Sequence, residues 1–186
     1  MSKTPENKNS ADMTPDLILV ERALEGDADS FTELCRRYYP AMVAIAHSIL
    51  DDRDLAEDAA QQGFANAVRK LGQLRKKSQF GSWLAAICRN VARNMLRMRI
   101  KHYCIEEDSA TAVESQQDEA AESVREAISK LSSSAREMIF LRYYDGMSYE
   151  QMSAVLGLSR QAVNGKLRRA KKKIAEYLRR NVFGEV

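Results

Sequence analysis

The stretch LSSSAREMIFLRYYDGMSYEQMSAVLGLSRQAVNGKLRRAKKKI, residues 131–174, decides the fold of the C-terminal part of the chain. Ser148, with Gln151 three positions later, has the spacing of a capping box, and Gly157 is typical of a helix end. Ser159 is placed to cap a longer helix that continues to about Arg180. Two helices joined by such a short turn form a helix-turn-helix.

The segment that precedes this motif is also predicted to be helical. Ser134 and Glu137 have capping-box spacing just before the apolar run MIFLRYY. Further upstream, Val124, Ile128 and Leu131 recur at helical spacing and predict a short amphipathic segment. We therefore expect a C-terminal domain, the second module, over residues 124–180, followed by a tail at 181–186.

The final helix carries the first candidate site. Val163, Leu167 and Ile174 recur at core-facing spacing. In a helix-turn-helix the second helix enters the major groove with its N-terminal residues, where polar side chains contact base edges or phosphates. The pattern leaves open which residues contact bases. The candidate DNA-binding residues are Ser159, Arg160, Gln161, Asn164, Lys166, Arg168 and Arg169.

Composition restricts the fold class and the kind of function. With only 8 Gly and 3 Pro in 186 residues, the chain is predicted to be all-α. The polar residues 1–14 are expected to be a disordered tail, and neither a signal peptide nor a spanning helix is predicted, so we expect a cytoplasmic protein. Cys35, Cys88 and Cys104 are isolated, as are the two histidines. No metal, cofactor or catalytic residue is predicted, and we expect a non-enzyme.

Charge is sorted into blocks along the chain. Residues 1–68 hold 6 basic and 13 acidic side chains, residues 69–101 hold 10 and none, residues 102–123 hold none and 7, and residues 159–186 hold 9 and 2. Two basic blocks separated by an acidic, Ser- and Gln-rich stretch predict two polyanion-binding modules joined by a flexible linker at 102–123. Nucleic acid is the expected polyanion.

The first module, predicted over residues 15–101, is expected to be a four-helix bundle with a DNA-binding loop and helix. Its third helix has Leu55, Phe64, Val68 and Leu71 predicted to face inward, and Trp83 lies on the apolar stripe of the fourth. Opposite that stripe, polar residues recur on one helix face beside the basic loop GQLRKKSQ. The candidate residues here are Arg75, Lys76, Lys77, Ser78, Gln79, Arg89, Asn90, Arg93, Asn94 and Arg97.

Three segments together resemble the extracytoplasmic function sigma factors, the two-domain class of the primary sigma family. LAEDAAQQGFANAVRKL is similar to the family's polymerase-binding helix, and FGSWLAAICRNVARNML to its promoter-melting helix. The quoted helix-turn-helix matches the family's second domain in length and spacing. The resemblance implies a two-domain all-α fold, with sigma region 2 and sigma region 4 as the domains.

The resemblance also implies partners and roles. Asp54, Glu57, Asp58 and Gln61 would bind the β′ clamp helices of core RNA polymerase, and the second module would bind the β flap and the minus-thirty-five element. The loop from Arg75 would hold a flipped base of the minus-ten element, with Asn90 on melted DNA. An anti-sigma factor is a further partner compatible with the family.

Two other functions are open to the sequence. A helix-turn-helix regulator that does not join polymerase would use the first module for oligomerisation or signal binding, but the basic block at 69–101 argues against it. A nucleic-acid-processing enzyme would need acids that hold a metal. The acids at 51–58 are more simply explained by helix capping and partner docking.

Overall fold

The structure is a computed structural model that describes residues 14–103 and 119–181. Helices α1 (Asp16–Leu24), α2 (Ala28–Leu50), α3 (Arg53–Lys70) and α4 (Phe80–Tyr103) form the first module. Helices α5 (Glu119–Ser129), α6 (Ser133–Ile139), α7 (Tyr149–Leu156) and α8 (Arg160–Asn181) form the second, with a π-helical segment at Phe140–Tyr144. The described residues hold helices and turns only, which confirms the all-α prediction.

The first module is built around α2, which packs against α1, α3 and α4. Leu34, Met42 and Ile45 of α2 are fully buried. Asp27 caps the helix by accepting a hydrogen bond from the Asp29 amide at 3.0 Å, and Pro40 lies inside the unbroken helix. A Cβ atom at Gly81 would lie 2.7 Å from the Tyr38 ring, so the close packing of α4 on α2 requires glycine there.

The second module packs α5, α6 and α7 against the long helix α8. The capping box predicted at Ser148 and Gln151 is present, and Gly157 ends α7 with φ 65°. Ser159 accepts a hydrogen bond from the Ala162 amide at 3.2 Å at the start of α8. The helix-turn-helix prediction is therefore confirmed.

Three sequence-based expectations are corrected by the structure. Val68 is 51% exposed rather than facing inward. Ser134 lies inside α6, which begins after Ser132, so Ser134 and Glu137 do not form a capping box. The ends of the predicted linker are helical, since α4 continues to Tyr103 and α5 begins at Glu119, in a run of good helix formers.

Several predicted segments lie outside the described residues. They are residues 1–13 of the N-terminal tail, residues 104–118 of the acidic linker together with Cys104, and residues 182–186. Of the other two cysteines, Cys88 is buried and Cys35 half-buried. Within the described ranges, no helix combines the length and the apolar character needed to cross a membrane.

Candidate nucleic-acid and protein interfaces

The basic loop of the first module borders a pocket at the start of α4. Two short 3₁₀ turns, Leu71–Gln73 and Lys77–Gln79, shape the loop. The pocket has a volume of about 320 Å³, and Trp83 forms part of its wall. The other lining residues are Gln73, Leu74, Arg75, Lys76, Gln79 and Ser82.

Only part of the predicted loop set surrounds this pocket. Arg75, Lys76 and Gln79 line it, whereas Lys77 turns away and donates to Glu21 of α1 at 3.1 Å. Ser78 is exposed but not among the lining residues. The sequence analysis missed Trp83, because helical spacing assigns it to the core but cannot indicate that its ring is only half-buried against Phe80.

The polar face of α4 is divided between two environments. Asn90, Arg93, Asn94 and Arg97 are exposed, and Arg97 donates to Asn94 at 3.3 Å. Arg89 instead donates through Nη2 and Nε to the Glu137 carboxylate of α6, at 2.7 and 3.0 Å. The Arg89 and Glu137 side chains are only 20% and 10% exposed. Glu137 is a residue that the sequence analysis assigned to capping and did not connect with this face.

Helix α8 presents its predicted DNA-binding residues on two sides of a buried stripe. Val163, Leu167 and Ala170 are buried against the rest of the module. Arg160, Gln161, Asn164, Arg168 and Arg169 are exposed, and Ser159 caps the helix. Lys166 is half-buried and lines a small hollow with Arg169, Ser132 and Ser134, so these two basic residues lie beside the start of α6.

The face of α3 that carries the predicted polymerase contacts changes character along its length. Asp54, Asp58 and Gln61 are exposed near the N-terminal half, and Glu57 pairs with Arg53 at 3.2 Å. Residues spaced by three and four positions lie on the same face of a helix, and this face continues from Gln61 through Ala65 to the exposed Val68. Val68 borders an apolar groove that is also lined by Leu24, Phe31 and Leu71. The sequence analysis missed this apolar half because it assigned Val68 to the core.

The two modules thus combine a helix-turn-helix with a separate basic pocket, which is the arrangement of a DNA-binding protein with two contact regions. Similarity to known proteins identifies the family to which this chain belongs. Residues 34–101 match the model of Sigma-70 region 2, and residues 121–174 match the model of Sigma-70, region 4. These matches cover α4 with its pocket and the helix-turn-helix.

Individual relatives extend the likeness over most of the chain. The RNA polymerase sigma factor CarQ of Myxococcus xanthus is 30% identical over 86% of this chain and 95% of its own length. The ECF RNA polymerase sigma-E factor of Salmonella typhimurium is 27% identical over 86% and 92%. A solved structure of the sigma factor RpoE with the anti-sigma factor NepR from Bartonella quintana has a TM-score of 0.54, 25% identity and coverage of 83% and 99%. The chain belongs to the sigma-70 family, as an RNA polymerase sigma factor of the ECF group.

Proposed function

We propose that this sigma factor joins core RNA polymerase through α3 and the second module, and directs it to a subset of promoters. The domains would be residues 15–101 and 124–180. The proposal rests on three surfaces that this one chain combines. They are the acidic and apolar face of α3 and two separate basic surfaces. A sigma factor needs one surface for polymerase and one for each promoter element.

The pocket at Trp83 is proposed to hold an unstacked base of the minus-ten element. Extruding a base costs a few kcal/mol, and stacking on an aromatic ring returns about 1–3 kcal/mol. Arg75 and Lys76 would neutralise neighbouring phosphates. Arg93 lies ten residues beyond Trp83 on α4, about 15 Å along the helix, so the same strand could reach it after about four nucleotides.

Helix α8 is proposed to enter the major groove of the minus-thirty-five element. Gln161, Asn164 and Arg168 share one exposed side, which suits contacts with base edges. Lys166 and Arg169 lie on the flank beside α6, which suits contacts with a phosphate. The second module would in addition bind the β flap of the polymerase.

The α3 face is proposed to bind the β′ clamp helices through two kinds of contact. Asp54, Asp58 and Gln61 would pair with basic and polar groups of the clamp helices. Glu57 would do the same after it releases Arg53. Val68 and the groove beside it would accept an apolar side chain. This combination of a polar rim and an apolar anchor is common in protein interfaces.

An anti-sigma factor is a further proposed partner. The structure of the sigma factor RpoE of Bartonella quintana has been solved with an anti-sigma factor, and we propose a partner of this kind here as well.

We also propose that the chain acts in the cytoplasm and catalyses no reaction. Among the acids near α3, Asp52 has a structural role, since it accepts a hydrogen bond from the Leu55 amide at 3.1 Å and lies 3.5 Å from Arg99.

Co-elution with sigma-free bacterial core RNA polymerase on gel filtration tests the proposal. We expect a stable complex that Asp58→Arg weakens and that Glu176→Arg, the same charge change on α8, leaves intact. Clean separation of folded protein from core would contradict the proposal and favour a free-standing helix-turn-helix regulator. Equal weakening by both variants would contradict the role of α3.

A further inference from the structure

Helix α1 is connected to both walls of the pocket at Trp83, whose lining residues come from the basic loop and from α4. The helix packs against α2 and against the 3₁₀ turn Lys77–Gln79. It lies outside residues 34–101, the part of the chain that matches Sigma-70 region 2. The family match thus does not cover the two α1 side chains, Asp16 and Glu21, through which these connections run.

The first connection runs from Asp16 to Tyr38 of α2. The Tyr38 hydroxyl donates to Oδ2 of Asp16 at 2.5 Å, and Arg37 donates to Oδ1 at 2.8 Å. Burial and the neighbouring Asp16 carboxylate raise the pKa of Tyr38, so its hydroxyl stays protonated and remains a donor. A hydrogen bond from a hydroxyl to a carboxylate is among the stronger kinds in proteins. Asp16 therefore fixes the orientation of the Tyr38 side chain.

The Tyr38 ring lies against the first turn of α4. It meets the Phe80 ring edge-on, with 5.4 Å between centroids, and a Cβ atom at Gly81 would lie 2.7 Å from its Cε1 atom. Phe80 is fully buried, and its ring centroid lies 6.0 Å from that of Trp83. Closely packed interiors transmit a displacement from one side chain to the next. A shift of the Tyr38 ring would therefore move the backbone and the ring that hold Trp83 in the pocket wall.

The second connection runs from Glu21 to the basic loop. Oε1 of Glu21 accepts from Nζ of Lys77 at 3.1 Å, and both side chains are partly exposed, so the ion pair contributes little to stability. The turn that begins at Lys77 is joined to the pocket on both sides. The Gln79 amide donates to the Lys76 carbonyl at 2.9 Å, and its carbonyl accepts from the Ser82 hydroxyl at 3.1 Å. These last three residues all line the pocket, so the position of Lys77 affects its shape.

We propose that α1 positions the base pocket, with Asp16 and Glu21 as the positioning residues. The inference rests on the proposed function, since it takes the pocket as the site of an unstacked base. Asp16 holds the wall at Trp83 through the ring of Tyr38. Glu21 holds the basic loop through Lys77. The pocket thus keeps its width before DNA arrives, and a preformed site spends less binding energy on ordering its own side chains.

Removal of a base from the DNA measures the pocket separately from the phosphate contacts. A random pool of single-stranded DNA is enriched for binding to the complex of the full chain with core RNA polymerase, with core polymerase alone as the background. The selected strand is then made with an abasic site at each position in turn. The discrimination ratio is the affinity of the intact strand divided by that of the abasic strand at the most sensitive position, which a lower ratio for Trp83→Ala assigns to this pocket.

The wild-type chain tests the proposed function before any variant tests α1. Stacking of one base on an aromatic ring corresponds to a discrimination ratio of roughly fivefold or more. A ratio of one at every position would contradict the proposed pocket, and the inference about α1 would fall with it. A clear ratio for the wild type leaves the variants to decide the role of α1 alone.

Two single variants release the two connections. Tyr38→Phe removes the hydroxyl and keeps the ring, and Glu21→Arg repels Lys77. Because binding groups tolerate little misplacement, we expect each variant to lower the discrimination ratio about threefold or more, with affinity for the abasic strand unchanged. Glu25→Arg, the same charge change at an exposed position of α1, should leave the ratio as in the wild type. An unchanged ratio in both variants, or equal weakening on intact and abasic strands, would overturn the inference.

A double-mutant cycle tests whether Asp16 acts through the Tyr38 hydroxyl. Residues that act as one unit give non-additive effects, so Asp16→Ala with Tyr38→Phe should have the same discrimination ratio as Asp16→Ala alone. Thermal unfolding of each variant checks that the chain is folded. Independent losses that multiply in the double variant would overturn the connection from Asp16 to the pocket. If Asp16→Ala does not fold, Tyr38→Phe and Glu21→Arg decide the inference by themselves.

Discussion

The helix-turn-helix and the pocket at Trp83 are both candidate DNA surfaces, but different kinds of contact hold them in place. The helix-turn-helix depends on local hydrogen bonds: Ser148 with Gln151, and Ser159 with the Ala162 amide. The pocket and the α4 face depend on distant partners, since Lys77 pairs with Glu21 across 56 residues and Arg89 with Glu137 across 48. A surface held by local hydrogen bonds keeps its shape without help from another helix. A surface held by residues distant in sequence can change when those residues change partners.

The largest effect expected from this difference is that of Arg89→Ala. Glu137 is 8% exposed, and loss of its partner leaves a buried carboxylate without a counterion. Breaking a buried pair in this way costs about 3 kcal/mol of unfolding free energy. Glu137→Ala should cost less, because the longer Arg89 side chain can turn to solvent. Urea denaturation of both variants measures the asymmetry, and equal losses would show that the pair is solvated in solution.

Trp83→Ala tests the pocket itself. The indole is half-buried against Phe80, so we expect a loss of about 2 kcal/mol, below the 3–5 kcal/mol of a fully buried tryptophan. Binding to an oligonucleotide with an unstacked base should weaken as well. Trp83→Phe retains a stacking surface and serves as the control. An unaltered thermal midpoint for Trp83→Ala would show that the ring contributes no packing energy.

These two surfaces also show how far the sequence could predict the molecule. The helix-turn-helix was predictable because capping residues and a helix-ending glycine determine the backbone conformation of residues only a few positions away. Val68 and Trp83 were placed wrongly or incompletely because helical spacing gives the direction of a side chain but not how far neighbouring helices cover it. The partner of Glu137 could not be predicted, since its spacing from Ser134 satisfied a local rule while its counterion lay on another helix.

On the locally fixed surface, the double replacement of Arg168 and Arg169 by Ala should reduce the salt dependence of duplex binding. Each phosphate contact contributes about 0.9 to the slope of log affinity against log salt concentration. Only Arg169 of the two is proposed to contact a phosphate, so the variant should be about threefold less sensitive to an increase from roughly 50 to 200 mM salt. A salt titration measures the slope. An unchanged slope would show that neither arginine contacts a phosphate, and a change of about two units would show that Arg168 contacts one as well.

Ser148→Ala should have a smaller effect, confined to the helix-turn-helix. Removing the capping hydroxyl costs about 1 kcal/mol. Because the cap is local, hydrogen exchange should speed up in α7 and α8 and remain unchanged in α1–α3. Ser148→Asp, which keeps a capping oxygen, is the matched control. Faster exchange throughout the first module would contradict the distinction between local and long-range support.

The smallest effect concerns pH and the contact between the modules, where the His47 ring of α2 lies edge-on to Phe140 and to Tyr144, with 5.0 Å between ring centroids in each pair. Burial lowers the pKa of His47 below its usual value of 6.5, against the opposing influence of Asp51 and Asp52 and with a smaller contribution from Arg53. The histidine binds a proton more readily when its ring leaves Phe140 and Tyr144 for water. The packing of His47 between the modules is therefore fully favoured above pH 6.5 and loses stability as the pH falls below that value.

Small-angle scattering of the full chain at pH 7.5 and pH 5.5 measures this shift as an increase in the radius of gyration on acidification. Burial raises the pKa of Asp145, near the same segment, to about 6, and its titration acts in the opposite direction because its protonated form is favoured when buried. The comparison with His47→Gln removes that contribution, since Asp145 is present in both proteins. An identical response of wild type and His47→Gln would show that protonation of His47 does not separate the modules.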